Sequence, residues 1–317
     1  MSRQTVTKWG FIDLSGKLAI DFQFDHALGF SQGLARVNVG GKIGFIDHQG
    51  AFCIHPQFGP ATQRFGEGLA LAELEAGKCG YIDHAGRFVV APRYDWGLCF
   101  SEGLAVVRDA TKKYGYIALN GTEIVSPSFE NAEGFSEGVA HVYDGNDWMY
   151  IDSQGRRISW LNDGGDGSFA EGVARTYVDR THALLLLNGT IIEVPNVDWL
   201  SAYCRNGRVE FSVKGRYGFV DRLGQVVIQP QYEETSTFSE GLAAVKVNGK
   251  YGYIDIAGRM IIPPQFDEAN SFSNGVAVVK LQQKHAAIDA RGAVLFSTSH
   301  RIAFSFWEGL AAVYEDF

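Results

Sequence analysis

Cysteine is almost missing from this chain, with four in 317 residues and no Cys-x-x-Cys pair. Without a spacing ladder there is no sign of a disulfide framework, and free thiols in a reducing cytoplasm are the expectation. Long apolar runs are missing too. The run Ala183 to Leu187 is five residues, far short of a membrane span. Met1 to Thr7 is short and polar rather than a signal peptide, so a cytoplasmic protein with no membrane contact is expected. Positive charge is in deficit, with 28 Lys and Arg against 36 Asp and Glu and a net charge of −8. No basic face for nucleic acid is expected from that balance. The chain also lacks H-E-x-x-H, G-x-S-x-G and a phosphate-binding loop, and its eight histidines are scattered. Without those constellations neither catalysis nor a cofactor or metal is expected.

Glycine and aromatic residues are plentiful instead, at 38 glycines and 13% Phe, Trp and Tyr, a composition suited to strands joined by tight turns. One sentence of about 34 residues is written nine times. The copies begin at Lys8, Lys42, Lys78, Lys113, Asp147, Thr181, Arg216, Lys250 and Lys284. A period of this size means stacked units that bury their faces against neighbours.

Each copy opens on a strand whose fifth residue is aliphatic throughout, from Ile12 to Ile288, and whose fourth is aromatic in seven copies. Adjacent strand residues face opposite ways, so this strand is covered on both sides. Its third residue is Gly in six copies, such as Gly44 and Gly252, which implies a bulge or a close approach by something bulky; a neighbouring aromatic ring is the expected partner. An Asp-x-x-Gly turn follows, with Asp at 13, 47, 83, 152, 221, 255 and 289 and Gly closing all nine. Seven aspartates in register could suggest a metal site. Turn chemistry explains them better, because Asp accepts hydrogen bonds from N–H groups within its own turn. A second strand ends at proline in six copies, where the missing N–H stops a ladder. About a dozen residues of connection carry a Phe column, at 30, 65, 100, 135, 169, 238, 272 and 306, and a second invariant Gly column three places on. The Phe is expected to fill the layer between units. A third strand, reading Leu-Ala-Val-Val or close to it, enters the next copy through a hairpin such as Asn248-Gly249.

The phrase Lys8-Trp9-Gly10-Phe11-Ile12-Asp13, with the Pro-x-aromatic and Phe-Ser-Glu-Gly-Leu-Ala phrases after it, resembles the bacterial WG-repeat family, also called KWG repeats. The resemblance covers residues 8 to 317, although the full Trp-Gly pair occurs at its motif position only once. It implies β-rich arrays with interaction roles and supplies no catalytic residue. Family members near toxin loci make an immunity role conceivable.

The expected fold is therefore all-β: one continuous array of three-stranded antiparallel meanders, with some 27 strands and almost no helix. A seven-residue leader precedes repeats at 8–41, 42–77, 78–112, 113–146, 147–180, 181–215, 216–249, 250–283 and 284–317. An open twisted solenoid is favoured over a closed propeller-like ring, since nine three-stranded blades exceed the usual four to eight. Pairing of the last strand with the first would reverse that choice.

Candidate binding residues are those that break the pattern. Repeats five and six are the least regular, and they carry Trp148, Trp160, Trp199 and Tyr203 beside Asp163 and Asp166 in an Asp/Gly-rich segment. Irregular aromatics are enriched in binding hot spots. Asp163 and Asp166 fit a calcium loop poorly, lacking its alternating ligands and terminal Glu. A second candidate is the variable third-strand column, with Arg36, His141, Arg175 and Glu210 among its members. Such a column would line one continuous surface of a solenoid. The function expected is non-catalytic binding of a protein partner, in sharper form immunity against a toxin. Glycan or cell-wall binding through aromatics is the alternative.

Overall fold

The computed structural model describes residues 6–74, 77–161, 167–303 and 305–317. Among them 32 strands form nine antiparallel sheets, five of four strands and four of three. The chain divides into two compact units, Met1–Cys99 with Asp267–Phe317, and Phe100–Phe266.

Two expectations need correction. The full blade has four strands, not three. In the first unit one blade runs His26–Ser31, Leu34–Val39, Lys42–Ile46 and Phe52–Phe58, hydrogen-bonded in that order. The extra strand lies in the connection expected to be irregular, where Ala27 pairs with Val37 and Phe30 with Ala35 across a bulge. A blade therefore takes two strands from each of two successive repeats. Where the edge strand is lost, single bonds remain, such as Gln63 N–H to the Leu71 carbonyl at 2.9 Å.

The second correction concerns closure. Leu310–Asp316 pairs with Thr7–Asp13 from Leu310↔Asp13 to Asp316↔Thr7, and the sheet runs on to Leu18–Phe24 on one side and Arg301–Ile302 on the other. Both ends of the chain thus build one blade, which is the closing device of a β-propeller. The open solenoid is overturned. The reason is physical: an unpaired terminal strand would leave a row of exposed N–H and C=O groups. Leu310, Ala311, Ala312 and Val313 are all buried, so this strand is covered on both faces.

The Phe column fills the space between blades, as expected. Phe30 meets Phe11 edge-on at 5.2 Å between ring centres, Phe65 meets Phe45 at 4.9 Å, and Phe135 meets Tyr116 at 4.8 Å. Each pair joins a first-strand aromatic to the following blade in the arrangement aromatic quadrupoles prefer. The strand glycines mark the close approach expected of them, but with a different neighbour. A Cβ at Gly252 would lie 2.4 Å from the Ile262 carbonyl oxygen and 2.7 Å from the Pro264 nitrogen, and Gly44 and Gly115 repeat that geometry. The close neighbour is the backbone of the next strand, Met260–Phe266, not an aromatic ring. That strand also corrects the expected stop at proline, since it runs on through Pro264, as Phe52–Phe58 does through Pro56. The register shifts at this point, between Tyr251 and Tyr253.

Candidate functional site

The chemistry-bearing columns are largely occupied by the blades themselves. All seven turn aspartates accept the N–H groups two and four residues on, for example Gln49 and Ala51 to Asp47, both at 2.9 Å, and Arg291 and Ala293 to Asp289 at the same distance. The Ser15 hydroxyl holds Asp13 below its ordinary pKa. The Arg87 and Arg156 side chains do the same for Asp83 and Asp152, and the Arg259 N–H leads at Asp255. In copy four, which lacks the Asp, Asn120 accepts from Thr122 instead. These carboxylates are bonded within their own turns.

The Phe-Ser-Glu-Gly phrase proves to be a blade-to-blade ladder. The residue before each invariant Gly has φ between 51° and 57° in all nine copies, and the Gly itself is also at positive φ. That is a two-residue type I′ hairpin. Its side chain reaches the next such hairpin. In the first unit Glu308 accepts the Gly33 N–H at 3.0 Å and Gln32 the Gly68 N–H at 2.8 Å. In the second, Glu102 accepts from Glu137 and Gly138, Glu137 from Gly172, and Glu171 from Asn206 and Gly207. The serine runs alongside, with Ser31 donating to the Phe65 carbonyl and Ser136 to that of Phe169. At Glu171 burial raises the pKa, but the Gly207 and Asn206 N–H bonds, together with the Cys204 thiol and the Arg205 charge, bring the net shift downward.

The variable third-strand column does not line an exposed surface. Leu71, Val106, His141, Ala244, Val278 and Ala312 are buried. Its long polar members cross to the next blade: Arg36 donates to the Thr62 and Pro60 carbonyls at 2.7 and 2.9 Å, and Arg175 to that of Leu200 at 2.9 Å. Glu210 accepts from the Thr235 hydroxyl, and burial raises its pKa.

The aromatics of repeats five and six separate into two places. Trp148 opens the strand Trp148–Asp152 and stacks on His141 at 4.5 Å. Trp199 lies opposite Ser212, near the hairpin at Lys214 and Gly215, and meets Tyr217 edge-on at 6.2 Å. Both stand at the hairpin ends of their strands. The Trp160 backbone instead abuts the turn at Gly189. Tyr203 lies near the other strand end, beside Cys204 and the Asn206-Gly207 hairpin. Trp160 and Tyr203 are the more exposed, at 65% and 62%. Asp163 and Asp166 lie outside the described residues. Among the described residues, no group of three or more His, Cys, Asp or Glu is placed to hold a metal ion.

One concave site escaped the sequence reading. In the first unit a groove of about 830 Å³ is lined by Trp9, Glu268, Lys280, His285, Arg301, Ile302 and Tyr314, among others. Pairing explains their convergence. Glu268 lies opposite Lys280 and Lys280 opposite His285 in one blade. In the closing blade Arg301 lies opposite Tyr314 and Tyr314 opposite Trp9. Directly paired residues share a sheet face. The Lys280 ammonium is 2.8 Å from the Glu268 carboxylate, Arg301 sits over the Tyr314 ring at 5.7 Å, and Tyr314 stacks on Trp9 at 5.0 Å. Burial holds the His285 imidazole below its ordinary pKa. The groove was missed because Trp9 and Arg301 come from opposite ends of the sequence.

The closing strand, the four-stranded blades and the blade-to-blade ladder define a β-propeller-type repeat protein. The sequence model of the WG containing repeat matches residues 9–42, 80–109, 114–146, 217–251 and 251–284, just over half of the chain. The chain belongs to the WG-repeat family. The irregular fifth and sixth copies fall outside the matched segments. No curated protein matches the chain. Among solved structures, a crystal structure of a eukaryotic initiation factor is similar at TM-score 0.59 and 12% identity, over 99% of this chain and 98% of that one. BamB from Moraxella catarrhalis is similar at TM-score 0.36 and 11% identity, over 90% and 81%. The first likeness shows shared fold.

Proposed function

We propose that this protein is a non-catalytic binding module that offers a rigid surface to a protein partner in the cytoplasm. The observation carrying this reading is the occupation of the repeat chemistry. Turn aspartates, hairpin glutamates and the polar third-strand residues are bonded within or between blades, which supports a scaffold role for them. Exposed aromatics such as Trp160 and Tyr203 are then the residues available for recognition. The narrower reading, an immunity protein that neutralises a bacterial toxin, rests on the family resemblance and the net charge of −8.

Affinity capture with the full chain from native-host lysate tests both. A single stoichiometric protein is expected, and a secreted toxin as that protein supports the narrower reading. Recovery of polysaccharide alone overturns protein binding. Trp160→Ala and Trp199→Ala, checked for an unchanged melting temperature, are expected to weaken capture. Undiminished capture by both removes the irregular repeats as the contact.

A further inference from the structure

The sixth copy reverses the charge of its ladder hairpin. Where the others read Ser-Glu-Gly-Leu or a variant of it, this one reads Arg205-Asn206-Gly207-Arg208. These four residues carry +2 here and 0 or −1 in every other copy. Arg208 takes a place that is aliphatic in the other eight, from Leu34 to Leu310. Arg222 joins them from the Asp-x-x-Gly turn of the same blade, at a place where no other copy has Arg. The three guanidinium groups are held without being neutralised. Arg208 donates through Nε to the Ile256 carbonyl at 2.9 Å and through Nη1 to that of Gly207 at 3.0 Å. Arg222 donates to the Glu171 carbonyl at 3.2 Å, and Arg205 to that of Cys204 at 3.5 Å. Carbonyls fix these groups but cancel no charge, and further N–H donors remain on each. Among the described residues none of the three is in an ion pair. The neighbouring carboxylates, Glu171 and Asp221, already accept N–H groups of Asn206, Gly207, Leu223 and Gln225. Arg205 acts on Glu171 through its field alone. With both carboxylates counted, three cations against two anions leave one net positive charge, in a chain of −8. Tyr203, Leu223 and Ile256 stand exposed beside the arginines, at 62%, 59% and 42%.

We propose that this cluster is the docking surface for an acidic segment of the protein partner, seating carboxylates on Arg205, Arg208 and Arg222 and apolar side chains against Tyr203, Leu223 and Ile256. The proposal rests on the protein-binding reading above and names where the partner sits and what it presents. A guanidinium already held by a carbonyl loses little freedom on meeting a carboxylate, which it pairs in fixed geometry. Arg and Tyr are also enriched in binding hot spots. Nucleic acid fits less well, because the aliphatic Leu223 and Ile256 offer nothing to a phosphate and the surrounding negative charge repels a polyanion.

The test uses a fluorescein-labelled octapeptide of glutamates and leucines, a twin with glutamines in place of the glutamates, and labelled oligo-uridylate. Fluorescence anisotropy with the full chain is expected to show saturable binding of the acidic peptide. The glutamine twin should bind at least about tenfold more weakly, and added salt should weaken the acidic peptide. Arg205→Ser with Arg208→Leu restores the residues of the repeat itself. This double variant should melt no lower than wild type and lose about tenfold in affinity. Arginines that serve only to hold the hairpin would instead lower the melting temperature and leave affinity unchanged. If the double variant does melt lower, the exposed Arg222→Gln decides, with a loss of about threefold expected. Arg87→Gln with Arg156→Gln removes two cations that are paired with their own turn aspartates and should leave affinity unchanged. No saturable binding, equal binding of the two peptides, arginine variants that bind as wild type, an equal loss in the Arg87 and Arg156 control, or tighter binding of oligo-uridylate would each overturn the proposal. The two readings fail separately. If the Arg205 and Arg208 variant still captures the lysate partner at full strength, this surface is removed and the binding module remains. If no partner is captured at all, the binding-module reading falls, and the peptide titration still judges the surface.

Discussion

Glu171 offers the sharpest test of the hairpin ladder. It sits at φ 52°, and a non-glycine residue there costs about 1 kcal/mol or more. Its carboxylate accepts the Asn206 N–H at 2.8 Å and the Gly207 N–H at 2.6 Å. Bonds to a charged acceptor contribute roughly 1.5–3 kcal/mol each, but water replaces part of that at a half-exposed turn, so about 1 kcal/mol each is the working figure. Glu171→Ala keeps the strain and loses both bonds, an expected cost of about 2 kcal/mol. Glu171→Gly loses the same bonds but releases the strain, leaving a net cost of about 1 kcal/mol. Glu171→Gln keeps one neutral acceptor oxygen and should fall near the glycine variant. Urea unfolding followed by circular dichroism at pH 7 would rank them. The pH dependence has a definite sign. The folded-state pKa of Glu171 is depressed, so its stabilisation is complete above the ordinary glutamate value and is lost as pH falls through the folded value. The gap between wild type and Glu171→Gln should therefore close in acid. An alanine cost under about 0.5 kcal/mol would show that the ladder does not act as described, and alanine and glycine variants of equal stability would remove the strain at this position.

Gly252→Ala places a Cβ 2.4 Å from the Ile262 carbonyl oxygen and should cost about 1–3 kcal/mol by overpacking; a variant melting with the wild type would remove the close-approach account. Ala312→Asp puts a carboxylate into the fully buried closing strand opposite Phe11. It should abolish soluble, protease-resistant protein, whereas a stable variant would argue against closure through that strand. The turn carboxylates of Asp13, Asp83, Asp152 and Asp255 should titrate below the ordinary aspartate value in carbon-detected NMR. Their contribution to stability is then present above about pH 4 and declines in stronger acid, and titration at or above the ordinary value would contradict the turn bonding.

The repeat length, the strand pattern and both glycine columns were legible in the sequence because they are local. Asp83 bonds Ala85 and Arg87 within five residues, and Asn248 and Gly249 take positive φ inside their own hairpin. The period also exposed the Phe column as a buried layer, since a large apolar side chain at one place in every unit must meet its neighbours. What escaped was every relation between units. Nothing in the sequence singled out the hairpin glutamates, because their partners lie some 35 residues on. The variable column read as a surface because variation resembles exposure. Its Arg36 and Arg175 instead reach carbonyls 26 and 25 residues away.

By itself the sequence determined that this is an all-β array of nine like units, since alternation and turn glycines act through neighbouring residues. Only the tertiary structure decided that the array closes and that a fourth strand completes the blade. It also placed Trp9 beside Arg301 at a groove. Those outcomes depend on pairings such as Thr7 with Asp316, separated by nearly the whole chain. Which distant edge satisfies a strand's backbone groups is settled by how the blades stack, not by any local pattern.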